Sequence, residues 1–182
     1  STIHFDDIQV FPDLANKKAL VKILLKSDKL RNVSAKVILS AQSFNSERTH
    51  TALPVSKNIL IKGDSLSLEM DLPMGDGMLT WDEFDPALYK LKAKIVYGNK
   101  SEEKEVQFGM RDFTIKGKWF YVNGNKTVLR GTVENCDFPL TGYAPMQIED
   151  WERVFRICKN YGLNHMRFHS FCPPTAAFEA AD

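Results

Sequence analysis

EVQFGMRDFTIKGKWFYVNGNKTVLR, residues 105–130, is the stretch on which the reading of the fold turns. Before it the chain reads as short β-strands and turns. After it the period changes to strand and helix. Inside it, Asn123-Gly124 lies between two β-prone runs, the strongest local signal for a hairpin, because a type I′ turn needs positive φ at both central residues. The stretch is therefore a hinge between two architectures.

N-terminal to the hinge, residues 3–113 hold about seven strand-like segments. Residues 3–10 alternate loosely, and ALVKILL (19–25) is apolar almost throughout, as a strand between two layers is. In VSAKVIL (33–39), Val33, Ala35, Val37 and Leu39 share one face. A weaker segment lies at 50–55. SLSLEMDL (65–72) is the cleanest alternation, with Leu66, Leu68, Met70 and Leu72 on one side. LYKLKAKIVY (88–97) sets Lys90, Lys92 and Lys94 against Tyr89, Leu91, Ala93, Ile95 and Tyr97, and Gly98-Asn99-Lys100 turns into a last strand at 102–108. Short strands parted by Pro, Gly, Asn and Asp predict a mainly β fold, an immunoglobulin-like antiparallel β-sandwich over residues 1–113. No Cys…Trp…Cys spacing accompanies it, so an antibody-type domain is not implied.

C-terminal to the hinge, IEDWERVFRICKNY (148–161) places Ile148, Trp151, Val154, Phe155, Cys158 and Tyr161 on one helical stripe. Glu149 and Asp150 fall in the first turn, where the helix dipole favours acids, and Gly162 falls where a left-handed cap belongs. LNHMRFHS (163–170) reads as a strand, and Pro173-Pro174 introduce a second helix over 176–181. Strand, helix, strand, helix is the grammar of βα units and predicts a parallel sheet over residues 114–182. The chain starts at Ser1 without Met and stops at Asp182 inside a helical pattern. The expectation is a piece of a longer protein, truncated at both ends.

Lys+Arg 24 against Asp+Glu 23 leaves a net charge of +1 with no basic block, which offers nothing to a nucleic-acid or membrane-surface partner. No apolar run approaches the roughly 20 residues that span a bilayer, and no signal-peptide pattern is present. The compartment is therefore unreadable, an exported parent (periplasmic or extracellular) being one option left open. Cys136, Cys158 and Cys172 match no zinc spacing, and free buried thiols are expected.

The strand at 163–170 carries the chemistry. Met166 and Phe168 share a face that meets covering helices, while His165, Arg167 and His169 share the other. In a (β/α)8 barrel, inward residues at the carboxyl ends of strands build the active site. Arg167 and His169, at i and i+2 and followed by a loop, suit binding of hydroxyls or a carboxylate. His165 reads more readily as a packed layer residue than as part of a site. Glu134, just past the preceding strand, could face the cleft but reads more readily as a solvated loop acid or a hydrogen-bond partner behind the site. Asp137, Phe138, Thr141 and Tyr143 lie in a long loop that suits a pocket rim. Trp81, Trp119 and Trp151 sit in patterns that favour packing over stacking on a sugar. No HExxH, carboxylate-rich ligand set, nucleophile elbow, P-loop or dinucleotide glycine pattern occurs, so no metal and no cofactor is expected.

Four motifs in order resemble glycoside hydrolase family two, the β-galactosidase, β-glucuronidase and β-mannosidase group. They are Trp81…Asp85-Pro86-Ala87-Leu88-Tyr89-x-Leu91, then Phe108-Gly109-Met110-Arg111, the hairpin from Phe120 to Gly131, and Asn164-His165-Met166-Arg167 ahead of a His and Pro. The resemblance implies an immunoglobulin-like sandwich feeding a (β/α)8 TIM barrel, of which residues 114–182 would be the opening hairpin and first two βα units. It implies retaining hydrolysis of a terminal glycosidic bond by two glutamates about 5 Å apart, with a carbohydrate substrate. The family's acid/base belongs to an Asn-Glu pair, which this chain lacks, so no catalytic residue is expected here and the piece alone should be inactive. The family's usual His is replaced by Asn135, and His169 is displaced by one position from the family's Arg-Thr-Ser-His pattern with a loop longer by about one residue, so sugar specificity cannot be copied. Substrate contacts are expected from Arg167, His169, Asn135 and Glu134. The alternative is a non-catalytic carbohydrate-binding or structural module. An unclosed barrel edge would also permit pairing with a second copy, a homo-oligomer.

Overall fold

The computed structural model describes residues 2–28 and 32–182. It divides into two compact units: the chain through Phe113 together with Val122–Gly124, and Thr114–Tyr121 together with Asn125–Asp182.

The first unit holds β1 (Ile3–Asp13), β2 (Lys18–Ser27), β3 (Val33–Phe44), β4 (Thr51–Ile61), β5 (Ser65–Pro73), β6 (Leu88–Tyr97) and β7 (Lys100–Phe108). They form two antiparallel sheets, β1-β2-β5 and β4-β3-β6-β7, as in an immunoglobulin-like sandwich. Antibody constant domains put the fourth strand beside the fifth. Here β4 pairs with β3, from Val33 opposite Ile61 to Gln42 opposite Thr51.

The core is the sum of the inward faces. Ala19, Val21, Ile23 and Leu25 of β2, Val37 and Leu39 of β3, Leu68, Met70 and Leu72 of β5, and Leu91, Ala93 and Ile95 of β6 are all buried together. The near-continuous apolar run in β2 is thus one buried face, with Leu20 and Leu24 only half-buried on the other. The loose alternation in β1 has a cause as well. Its buried residues are Ile3, Phe5 and Ile8, and the register slips between Phe5 and Asp7, so a bulge at Asp6 shifts the phase by one. Lys104 Nζ donates to the backbone carbonyl of Asp6 at the bulge (3.0 Å), and Lys26 pairs with the Asp6 carboxylate (3.0 Å). β4 runs well beyond the weak segment seen in the sequence. As an edge strand it buries only Ala52 and Ile61, and Pro54, which has no N–H to give a ladder, sits where its register with β3 slips.

The unit closes on a knot of hydrogen bonds at its last turn. Trp81 N donates to the Met110 carbonyl (3.0 Å), and the Arg111 guanidinium lies 4.8 Å from the Trp81 ring centroid. Asn123 Oδ1 accepts from Asp112 N (2.9 Å), and its Nδ2 donates to the Trp81 carbonyl (2.9 Å). Asn123 and Gly124 have φ of 51° and 78°, the pair of positive angles that a type I′ turn requires. They join β9 (Trp119–Val122) to β10 (Asn125–Thr127), in a small sheet of order β10-β9-β8 whose third strand is β8 (Phe113–Lys116).

The second unit carries a small β/α portion: β11 (Gly131–Glu134), α1 (Ile148–Asn160), β12 (His165–Phe168) and α2 (Thr175–Ala181). β11 and β12 pair in parallel, as the strand–helix–strand pattern predicts. Trp151 is wholly buried and meets the rings of Phe138, Phe155 and Phe168 at centroid distances of 5.9, 5.9 and 5.7 Å. Its indole N–H donates to the Pro145 carbonyl (2.8 Å). α1 ends in a Schellman motif: Leu163 N to Cys158 O (3.0 Å) and Gly162 N to Lys159 O (2.8 Å), with Gly162 at φ 77°.

On the stripe of α1, Trp151 is buried and Phe155 packs against it, while Tyr161, which caps the helix, is 82% exposed. Two expectations are corrected. The second strand is shorter than 163–170, because Leu163 completes the helix cap and Ser170 turns to φ 57°. The cysteines are free, but Cys136 and Cys158 are half-buried and Cys172 is exposed.

Candidate functional site

The parallel pair sets the geometry. In register, Gly131 faces His165, Thr132 faces Met166, Val133 faces Arg167 and Glu134 faces Phe168. Paired residues in a sheet project to the same side. Thr132, Glu134, Met166 and Phe168 therefore share the side covered by the Trp151 cluster, and all four are half-buried. Gly131, Val133, His165 and Arg167 share the other side and are exposed.

The ladder continues past the strands at both ends. His169 N donates to the Glu134 carbonyl (2.9 Å), so Asn135 and His169 leave the two strands side by side, both exposed. Arg167, His169 and Asn135 thus gather at one carboxyl end, where open parallel sheets and barrels place their ligands. Glu134 does not join them. It is in register with Phe168, and its Oε1 accepts from Cys136 N (2.7 Å), which stabilises a turn where Cys136 adopts φ 58°. Burial first, then the nearby charges of Glu134 and Asp137, push the Cys136 thiol pKa up.

The remaining sequence candidates separate. His165 lies across Gly131 at the amino end of the pair, where a Cβ on residue 131 would come 2.9 Å from the His165 ring. Phe138 packs on Trp151, whereas Asp137 and Tyr143 are exposed in the loop. Thr141 Oγ1 donates to the Tyr143 carbonyl (2.8 Å), giving that loop its own order. Asp150 is exposed in the first turn of α1. Trp119 is 40% exposed, with Lys126 Nζ 3.2 Å from its ring centroid. Among the described residues, no group of three or more His, Cys, Asp or Glu is arranged to hold a metal ion, and no helix is long and apolar enough to cross a membrane.

One residue carries a role that the alternation of the strand did not reveal. Asn164 precedes β12 and binds the end of the hairpin with backbone and side chain together. Its N donates to the Arg130 carbonyl (2.9 Å), its Oδ1 accepts from Arg130 N (2.8 Å) and its Nδ2 donates to the Val128 carbonyl (3.2 Å). The available signal was an Asn between a helix-capping Gly and a strand.

An antiparallel sandwich followed by a small β/α portion, with a parallel strand pair alternating with its helices, is the layout of part of a multidomain protein. The family Glycosyl hydrolases family 2 matches residues 3–111, more than half of the chain, and the chain belongs to that family. A β-galactosidase of Thermoanaerobacterium thermosulfurigenes is 37% identical over 81 residues, which are 44% of this chain and 11% of that protein. A glycosyl hydrolase family 2 member from Bacteroides cellulosilyticus superposes with a TM-score of 0.80 at 20% identity, over 98% of this chain and 23% of its own. The β-glucuronidase of Parabacteroides merdae does so with a TM-score of 0.71 at 22% identity, over 98% and 22%. At these identities the structures share the fold. The chain spans about a quarter or less of the length of each of these three proteins.

Proposed function

We propose that this chain is the supporting sandwich (residues 1–113) and the opening hairpin with the first two βα units (residues 114–182) of a (β/α)8 barrel, in a longer retaining exo-glycosidase. The observation that carries the reading is the parallel pair β11–β12, with Arg167, Asn135 and His169 together at its carboxyl end, in a chain of this family. In that enzyme Arg167 supplies a fixed fork of N–H donors to substrate hydroxyls or a carboxylate, and His169 and Asn135 hydrogen-bond beside it. Glu134 is assigned to the turn at Cys136 instead, on the bond it accepts there.

The two carboxyl groups of retaining hydrolysis, one nucleophile and one acid/base, belong to other parts of the enzyme. No Asn-Glu pair occurs in these residues, and the chain alone is expected to be inactive. The longer polypeptide, assayed on aryl β-galactosides, β-glucuronides and β-mannosides, is expected to release the phenol from at least one with net retention. Sugar binding without turnover on any of them would replace this reading with a non-catalytic carbohydrate-binding module.

A further inference from the structure

We propose that Asn164 is the positioning residue that selects the register of β12 and so decides which face presents Arg167; the proposal rests on the reading of Arg167 as a substrate contact. β11 and β12 are four residues each, and a slip of one residue in a strand sends every side chain to the opposite face. Arg167 would then turn toward the Trp151 cluster and Met166 and Phe168 toward the open side.

Packing of Phe168 against Trp151 already favours the observed register, and with only four residues of ladder a specific contact at one end adds to that choice. At the carboxyl end there is only the ladder's own repeat, His169 N to Glu134 O (2.9 Å). The amino end has the specific device. Arg130 and Asn164 are the next pair in register before Gly131 and His165, and there Asn164 uses backbone N, Oδ1 and Nδ2 at once on residues 128 and 130. Arg130 Nε reaches the Gly162 carbonyl (2.7 Å), closing the loop of contacts with the helix cap. A primary amide is both donor and acceptor, so this arrangement is met in one register and broken in the slipped one. Gly131 adds a steric condition: a Cβ there would meet the His165 ring at 2.9 Å and the His165 carbonyl oxygen at 3.2 Å.

A double-mutant cycle in the longer enzyme tests this. Asn164→Ala is expected to lower kcat/KM by roughly ten- to a hundredfold, as misplacement of a binding group does. Because Asn164 acts through Arg167, it should add little to the loss caused by Arg167→Ala alone. Asn164→Asp, which keeps the acceptor for Arg130 N, should recover part of the loss, and it carries the same cycle should the alanine variant fail to fold. Losses that simply add would overturn the proposal while leaving Arg167 as a substrate contact. An unchanged kcat/KM in Arg167→Ala would remove the reading of Arg167 and this proposal with it.

Discussion

Tyr89 Oη lies 2.9 Å from His50 Nδ1, a hydrogen bond whose direction follows from the other partner of the hydroxyl. Leu79 N already donates to Tyr89 Oη (2.7 Å), and Tyr89 is wholly buried, so its own hydroxyl proton needs an acceptor and His50 Nδ1 is the one in reach. The prediction is an imidazole carrying its proton at Nε2, which ¹⁵N chemical shifts report directly, and a proton found at Nδ1 would reverse the bond. Tyr89→Phe leaves Leu79 N and His50 Nδ1 without this partner, and unfolding in urea should show a loss of about 1–3 kcal/mol.

The same tyrosine predicts a response to alkali. Burial, above all, raises its pKa over the ordinary 10.0. The folded chain then holds the phenol proton more tightly than the unfolded one, so the contribution is complete below about pH 10 and is lost as pH rises through the folded value. Stability measured across that window should fall in the wild type, and more shallowly in Tyr89→Phe. Equal slopes would mean that Tyr89 ionises as it does in the unfolded chain.

Asn123 combines a left-handed backbone with two side-chain hydrogen bonds, and the two contributions are separable. Asn123→Gly keeps the conformation and loses the bonds, at about 1–2 kcal/mol. Asn123→Ala loses the bonds and adds the strain of Cβ at positive φ, a further 1–2 kcal/mol or so. Denaturant midpoints should therefore rank wild type, then glycine, then alanine.

Gly131→Ala should loosen the parallel pair by about 1–3 kcal/mol, the usual penalty for an overpacked site. The His165 ring can swing away, but the His165 carbonyl oxygen, 3.2 Å from the added Cβ, cannot move without the strand. Adding His165→Ala should thus restore only part of the loss. The reporter is exchange of the His169 amide, bonded to Glu134 O, while amides in β3 and β6 stay protected.

What the sequence disclosed follows physical lines. β5 and β6 were legible because each has one face in the core and one in water, the condition under which a period of two is written plainly. The turn at Asn123-Gly124 was legible because few residues tolerate positive φ twice. The extent of β4 was obscured by exposure on both faces, and that of β1 by a bulge that breaks the phase. At the candidate site, Arg167 and His169 could be placed from alternation within one strand. The side taken by Glu134 could not, since it depends on the register between two strands. Asn164 escaped for a related reason: its role lies in bonds to residues 128 and 130, far off in sequence.

Arg167 is proposed as a substrate contact in a longer glycosidase of this family. The most direct test of that role is kcat/KM of the longer enzyme and its Arg167→Ala variant on the best aryl β-glycoside. The expected result is a loss of roughly ten- to a hundredfold in the variant, with the thermal midpoint nearly unchanged, because Arg167 is exposed in β12 and a charged hydrogen bond of this kind is worth about 1.5–3 kcal/mol. Equal kcat/KM in the two proteins would contradict it.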